Sequence, residues 1–77
     1  MTRDEAVAAV NLAREARDTA FKTDPLSTET ADAYMRLGSA YRRLAMLTGD
    51  EVAHVAMHEA ADALVLLAGN IRLGGGS

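Results

Sequence analysis

The sequence predicts an all-α fold, a three-helix up-down-up bundle with short loops. Three segments of about 20 residues each carry apolar residues at helical spacing. Breaks at Asp24-Pro25 and at Gly49 separate them, because proline and glycine interrupt helices. Short loops between helices of similar length place neighbours antiparallel. We expect one domain over residues 1–73, with helices at about 3–22, 28–48 and 50–69.

The first helix is predicted from a capping box, in which Thr2 and Glu5 satisfy each other's free backbone amides. Its apolar face consists mostly of alanine, which lets helix axes approach closely but buries little area. At roughly 25 cal/mol per Å² of buried apolar surface, this face stabilises the fold less than a leucine-rich one would. The residues on that face are Ala6, Ala9, Val10, Ala13, Ala16, Ala20 and Phe21.

The second helix follows a loop at residues 23–25, and either Ser27 or Thr28 can cap it. Met35 and Met46 fall with Arg42 on the side that a monomer would leave in water, where methionines can serve as adaptable contact residues. The packed side is a stripe flanked by small and aromatic residues. It comprises Leu37, Tyr41, Leu44 and Thr48, with Ala33, Tyr34 and Ala40 beside them.

The third helix, starting at its cap Asp50, is apolar around more of its circumference than a surface helix needs. Such a helix is either the centre of a bundle or one side of an interface. Val55, Val65 and Leu66 interrupt its polar side, which predicts a partner there. Its core stripe is Ala53, Met57, Ala60, Leu64, Leu67 and Ile71.

The end of this helix is predicted at Gly69 and Asn70, in a left-handed turn with Ile71 folding back. Residues 74–77, Gly-Gly-Gly-Ser, resemble a flexible tail or an engineered linker scar. They are therefore left outside the predicted domain.

Composition excludes several classes of protein. Because there is no cysteine, disulfide frameworks and cysteine metal sites are ruled out, and the net charge of −3 argues against a general nucleic-acid binder. The longest continuous apolar run, Ala63 to Ala68, is far shorter than the roughly 20 residues of a membrane span. The acidic start does not resemble an export signal. We expect a soluble, cytoplasmic protein with no membrane association.

Part of the second helix resembles the first-helix signature of a tetratricopeptide repeat, in which an aromatic residue precedes Leu-Gly and a second tyrosine. The matching residues are Tyr34, Leu37, Gly38 and Tyr41. In that family the glycine lets the next helix approach, and the resemblance extends to Ala53, Met57 and Ala60 in the third helix and to Asp24-Pro25 before the second. It covers residues 31–60, without a second complete repeat. The resemblance implies protein binding and no catalysis.

The only candidate chemical site is a row of His54, His58 and Asp62, spaced four residues apart on one side of the third helix. Two imidazoles at this spacing can ligate zinc. No glutamate follows His54 as in metalloprotease helices, and the second helix offers acids only near its start. A solvated polar strip is the favoured interpretation. No nucleophile motif or phosphate-binding loop occurs either, so we expect no metal, cofactor or catalytic residue.

These observations predict a non-enzymatic protein-interaction module. It would either self-associate as a homo-oligomer or form an accessory subunit of a larger assembly. The predicted partner interface comprises Met35, Met46, Val55, Val65, Leu66 and Arg42. Two alternatives stay open, namely a designed helical scaffold and a nucleic-acid accessory that uses the basic edge of Arg36, Arg42 and Arg43.

Overall fold

The computed structural model describes residues 2–75, which form three antiparallel α-helices joined by short loops. Helix α1 spans Arg3–Thr23, α2 spans Thr28–Met46 and α3 spans Glu51–Gly75. No strand occurs within residues 2–75. The predicted all-α, up-down-up fold is confirmed.

Each helix begins at a capping residue that was predicted from the sequence. The Thr2 hydroxyl accepts a hydrogen bond from the Glu5 amide at 3.2 Å, and the Glu5 carboxylate accepts one from the Thr2 amide at 3.2 Å. Ser27, rather than Thr28, caps α2, accepting from the amide three residues on at 3.1 Å. The Asp50 carboxylate accepts from the amide two residues on at 2.9 Å. Local sequence therefore determines where the helices start.

Helix α2 is the centre of the molecule. It packs against both other helices, whereas within residues 2–75 no Cα of α1 lies within 8 Å of a Cα of α3. The expectation that α3 could be the centre of the bundle is therefore wrong, and the bundle is open between its two outer helices. Helix α2 also holds most of the buried residues: Thr30, Ala31, Ala33, Tyr34, Leu37, Gly38, Ala40, Leu44 and Ala45.

Helices α2 and α3 approach most closely at Gly38. A Cβ placed on Gly38 would lie 3.4 Å from the Ala61 carbonyl oxygen and 3.8 Å from the Leu64 Cβ. Ala61 is fully buried at this contact. The residue that meets Gly38 is thus Ala61, and not one of the α3 residues that the tetratricopeptide resemblance matched.

Helix α3 does not end at Gly69, so the predicted left-handed turn is wrong. No residue described has a positive φ, and the helix continues through Asn70 to Gly75. Its last turns are held by the buried Ile71 and by Arg72, whose guanidinium lies 2.6 Å from the Asp32 carboxylate of α2. These contacts outweigh the roughly 1 kcal/mol that a glycine costs inside a helix. Gly76 and Ser77 of the predicted tail lie outside the described residues.

Helix α1 is the most thinly packed of the three. Only Ala6 and Val10 are buried, and Phe21 near its end is 49% exposed. As the sequence predicts, an alanine face supplies little apolar area, so tertiary packing contributes little to the stability of this helix.

Replacing Gly69 with alanine should stabilise the protein. Gly69 is helical with open space where a Cβ would lie, so the free energy of unfolding should rise by about 0.5–1 kcal/mol, as measured by urea denaturation. The matched Gly38→Val variant should lose about 1–3 kcal/mol, because the larger side chain meets the backbone at Ala61. If Gly69→Ala destabilised the protein instead, the result would indicate that Gly69 adopts the left-handed conformation and that the helix ends there.

Hydrogen exchange should be fastest in the second half of α1 and slowest in α2. Local opening costs least where few apolar side chains are buried, and residues 13–23 of α1 contain none that is fully buried. Peptide-resolved exchange by mass spectrometry can measure this order. Equal protection of α1 and α2 would contradict it.

Candidate interaction surface on the third helix

One side of α3 presents large apolar side chains to solvent. We call Val52, Val55, Leu66 and Leu73 the outward face of α3. Their exposed fractions are 79%, 48%, 69% and 82%. Val52, Leu66 and Leu73 are separated by multiples of seven residues, so they lie almost in line along the helix. Glu59 occupies the same seven-residue position between Val52 and Leu66, so the outward face is a row of large apolar side chains interrupted by one glutamate.

The packing of α3 explains why this stripe is uncovered. The buried apolar residues of α3 form one narrow row against α2: Ala61, Leu64, Ala68 and Ile71. Because α1 lies against α2 and does not reach α3, nothing within residues 2–75 covers the other side. Only 17% of the most apolar stretch of α3 is buried.

The residues predicted to form a partner interface fall into different environments. Met46, Val55 and Leu66 are exposed, with Met46 at 79%. Val65 is half-buried. Met35 is partly buried and packs against the core, so the expectation that water surrounds it is wrong. It lines an open groove between α1 and α2, together with Ala13 and Ala40.

Sequence reasoning missed two residues of the outward face. Val52 was passed over although it is separated from Leu66 by two seven-residue intervals, a spacing that keeps residues on one side of a helix. Leu73 was placed beyond the helix because α3 was predicted to end at Gly69 and Asn70. Leu73 belongs to the outward face because α3 continues to Gly75.

Arg42, the charged member of the predicted interface, is engaged within the chain. Its guanidinium lies 3.0 Å from the Asp62 carboxylate, and both side chains are exposed. Such surface pairs contribute roughly 0–1 kcal/mol. The pair joins α2 to α3 and removes Arg42 from the basic edge that was considered as a nucleic-acid contact.

The three candidate metal ligands have other contacts. The Nδ1 atom of His54 lies 2.8 Å from the Ala45 carbonyl oxygen, one of the carbonyls left free at the end of α2. The His54 and His58 rings pack edge to face, 4.6 Å apart. Asp62 pairs with Arg42. Among residues 2–75, no group of three or more His, Cys, Asp or Glu side chains is placed to hold a metal ion. The contact between His54 and Ala45 joins the start of α3 to the end of α2.

Helix α3 is also long and apolar enough to cross a membrane, judged by the length and composition of residues 51–74. Continuous apolar runs in the sequence do not predict this result, because the longest of them, Ala63 to Ala68, is only six residues. Core helices of soluble proteins meet the same length and composition. In this structure α3 lies alongside α2 and shares two ion pairs with it.

Zinc should not stabilise this protein. A site with a Kd of about 1 μM would add about 2.7 kcal/mol at roughly 100 μM zinc, because ligands that bind only the folded state raise its stability. We expect no change in the thermal midpoint on adding zinc, measured by circular dichroism in a buffer that does not chelate metal. A rise that is lost in His58→Ala would identify the histidine row as a metal site.

No protein-family model matches this sequence, and neither the curated proteins nor the solved structures include a match to it.

Proposed function

We propose that this protein is a non-enzymatic protein-interaction module whose partner binds the outward face of α3. The observation that supports this proposal is the exposure of Val52, Leu66 and Leu73, each more than two thirds accessible to water. Scattered exposed apolar residues are ordinary, but large apolar side chains aligned on one side of a helix favour a binding surface.

The size of the stripe suits helix-mediated recognition. Covering a large aliphatic side chain completely is worth about 1.5–3 kcal/mol. Several such side chains in line can offset the loss of translational and rotational freedom on binding, which costs at least roughly 4 kcal/mol. Apolar anchors repeating along one side of a helix are the usual means by which a helix enters a groove of its partner.

The thin core gives association a second benefit. Helix α1 buries only two side chains, so the isolated chain has little apolar packing from which to draw stability. A partner that binds only the folded state stabilises that state by mass action. This consideration supports either self-association or incorporation into a larger assembly as an accessory subunit. The tetratricopeptide resemblance implies the same class of function.

A nucleic-acid role has less support. Of the three arginines on the basic edge, Arg42 already pairs with Asp62. The remaining two would have to bind phosphate on a chain of net charge −3.

Replacing Leu66 with serine should abolish binding while leaving the fold intact. The matched control is Leu26→Ser, because Leu26 in the α1–α2 loop is equally exposed at 69% but lies outside the stripe. Both variants should unfold within about 0.5 kcal/mol of the original protein, as surface substitutions usually do. Tagged versions would be used to capture partners from cells of the source organism, with quantitative mass spectrometry as the measurement.

We expect the original protein and Leu26→Ser to retain a partner, which is either another protein or a second copy of this chain. Leu66→Ser should retain at least tenfold less of it. Identical capture by all three baits would contradict the proposed use of this face.

A further inference from the structure

A second surface of the molecule has the shape and charge to receive the outward face of α3. It is an open groove of about 530 Å³ between α1 and α2, which we call the α1–α2 groove. Its floor is apolar, formed by Ala9, Ala13 and Ala40, and Leu12 stands on its α1 side, 67% exposed. A groove with alanines on its floor admits another helix closely.

Two arginines line the α2 side of this groove. Arg36 and Arg43 lie there with Ser39 between them. They are seven residues apart, or about 10.5 Å along the helix at 1.5 Å per residue. Neither forms an ion pair with any residue in the described part of the chain, in contrast to Arg17, Arg42 and Arg72. The groove therefore offers an apolar floor with two available positive charges.

The outward face of α3 carries the opposite charge. Glu51 and Glu59 flank Val52, Val55 and Ala56 on its first half. The two glutamates are eight residues apart, about 12 Å along the helix. Neither takes part in an ion pair within residues 2–75. Their spacing matches that of Arg36 and Arg43 to within the reach of these flexible side chains.

We infer that the occupant of the α1–α2 groove is the outward face of α3 from a second copy of this chain. Apolar side chains of the face would lie against Leu12 and the alanines, while Glu51 and Glu59 would meet Arg36 and Arg43. This inference rests on the proposed function and names its partner. The observation that supports it is that the α1–α2 groove and the outward face of α3 carry opposite charges at matching spacing.

The charges also favour this mode over a parallel, symmetric pairing of two α3 helices. In a twofold dimer that pairs the outward faces in parallel, Glu51 and Glu59 of one copy meet those of the other. Such like-charge contacts are unfavourable. Groove and face are instead different surfaces, so each molecule offers one of each. Contacts of this kind continue from copy to copy and form rings or filaments rather than stopping at two.

Charge exchange between the two surfaces tests the inference. Three variants are compared with the original protein by sedimentation velocity over a concentration series: Arg36→Glu with Arg43→Glu, Glu51→Arg with Glu59→Arg, and the combination of all four. All four residues are exposed, and helicity is checked by circular dichroism. The combined variant keeps the original net charge of −3, because two charges are reversed in each direction. A general effect of net charge is thereby separated from a specific contact.

We expect the original protein to grow in mass with concentration and to dissociate with added salt. Each double variant should associate at least about tenfold more weakly, since two exposed pairs become repulsive. The combined variant, and a mixture of the two double variants, should recover association. Growth that is unaffected by Arg36→Glu with Arg43→Glu would overturn the inference in favour of another interface.

Two further results would also overturn it. One is a protein that stays monomeric up to about 1 mM, which corresponds to a binding free energy weaker than about −4 kcal/mol. The proposed function would survive that result if Leu66→Ser still lost a captured partner protein. The other is co-flotation of the original protein with phosphatidylcholine vesicles, unaffected by the charge exchanges, which would assign the outward face to a membrane surface.

Discussion

The close approach of α2 and α3 at Gly38 is the contact on which the rest of the structure depends. Gly38 meets the backbone at Ala61, and small residues continue the contact on both helices at Ala31, Ala45 and Ala68. Small side chains let two helices come together but fill little volume between them. The larger residues of α3 that do not fit this row, such as Leu66 and Val55, are left on its other side.

Helix α1 also has few large side chains at its contact with α2. Its alanine face rests on α2, away from α3, so α2 is buried on two sides while each outer helix is buried on one. A closed bundle would have let α1 and α3 cover each other. Here the arrangement leaves both the α1–α2 groove and the outward face of α3 accessible. The thin core and the surplus apolar surface therefore have one cause, which is the scarcity of large residues at the helix contacts.

Much of the fold was predictable, because it depends on local signals. Capping residues such as Thr2 and Ser27 determine helix starts through hydrogen bonds within one turn, and these are visible in the sequence. The end of α3 was not predictable in this way. Gly69 and Asn70 favour a stop locally, but burial of Ile71 and the contact of Arg72 with Asp32 favour continuation. The Arg72–Asp32 pair joins residues 40 positions apart, so a rule based on neighbouring residues cannot predict it.

The candidate surface was predictable only in part, for a related reason. Val55 and Leu66 were found because they interrupt a polar strip, a pattern that a single helix reveals. Met35 was misplaced because a helical wheel drawn for one packed side cannot show that α2 has two. Leu73 was missed because its place on the face requires the last turns of α3. The errors thus arise where the position of a neighbouring helix decides exposure.

The relative lengths of the helices determine where the surplus surface lies and what can cover it. Helix α3 has 25 residues and α2 has 19, so α3 is longer by about 9 Å at 1.5 Å per residue. Leu73, on the last turns of α3, is the most exposed residue of the outward face. Within one chain the outward face points away from α2, and α2 separates it from α1. The face cannot reach the groove of its own molecule without dismantling the contact at Gly38, so only another molecule can bring the two surfaces together.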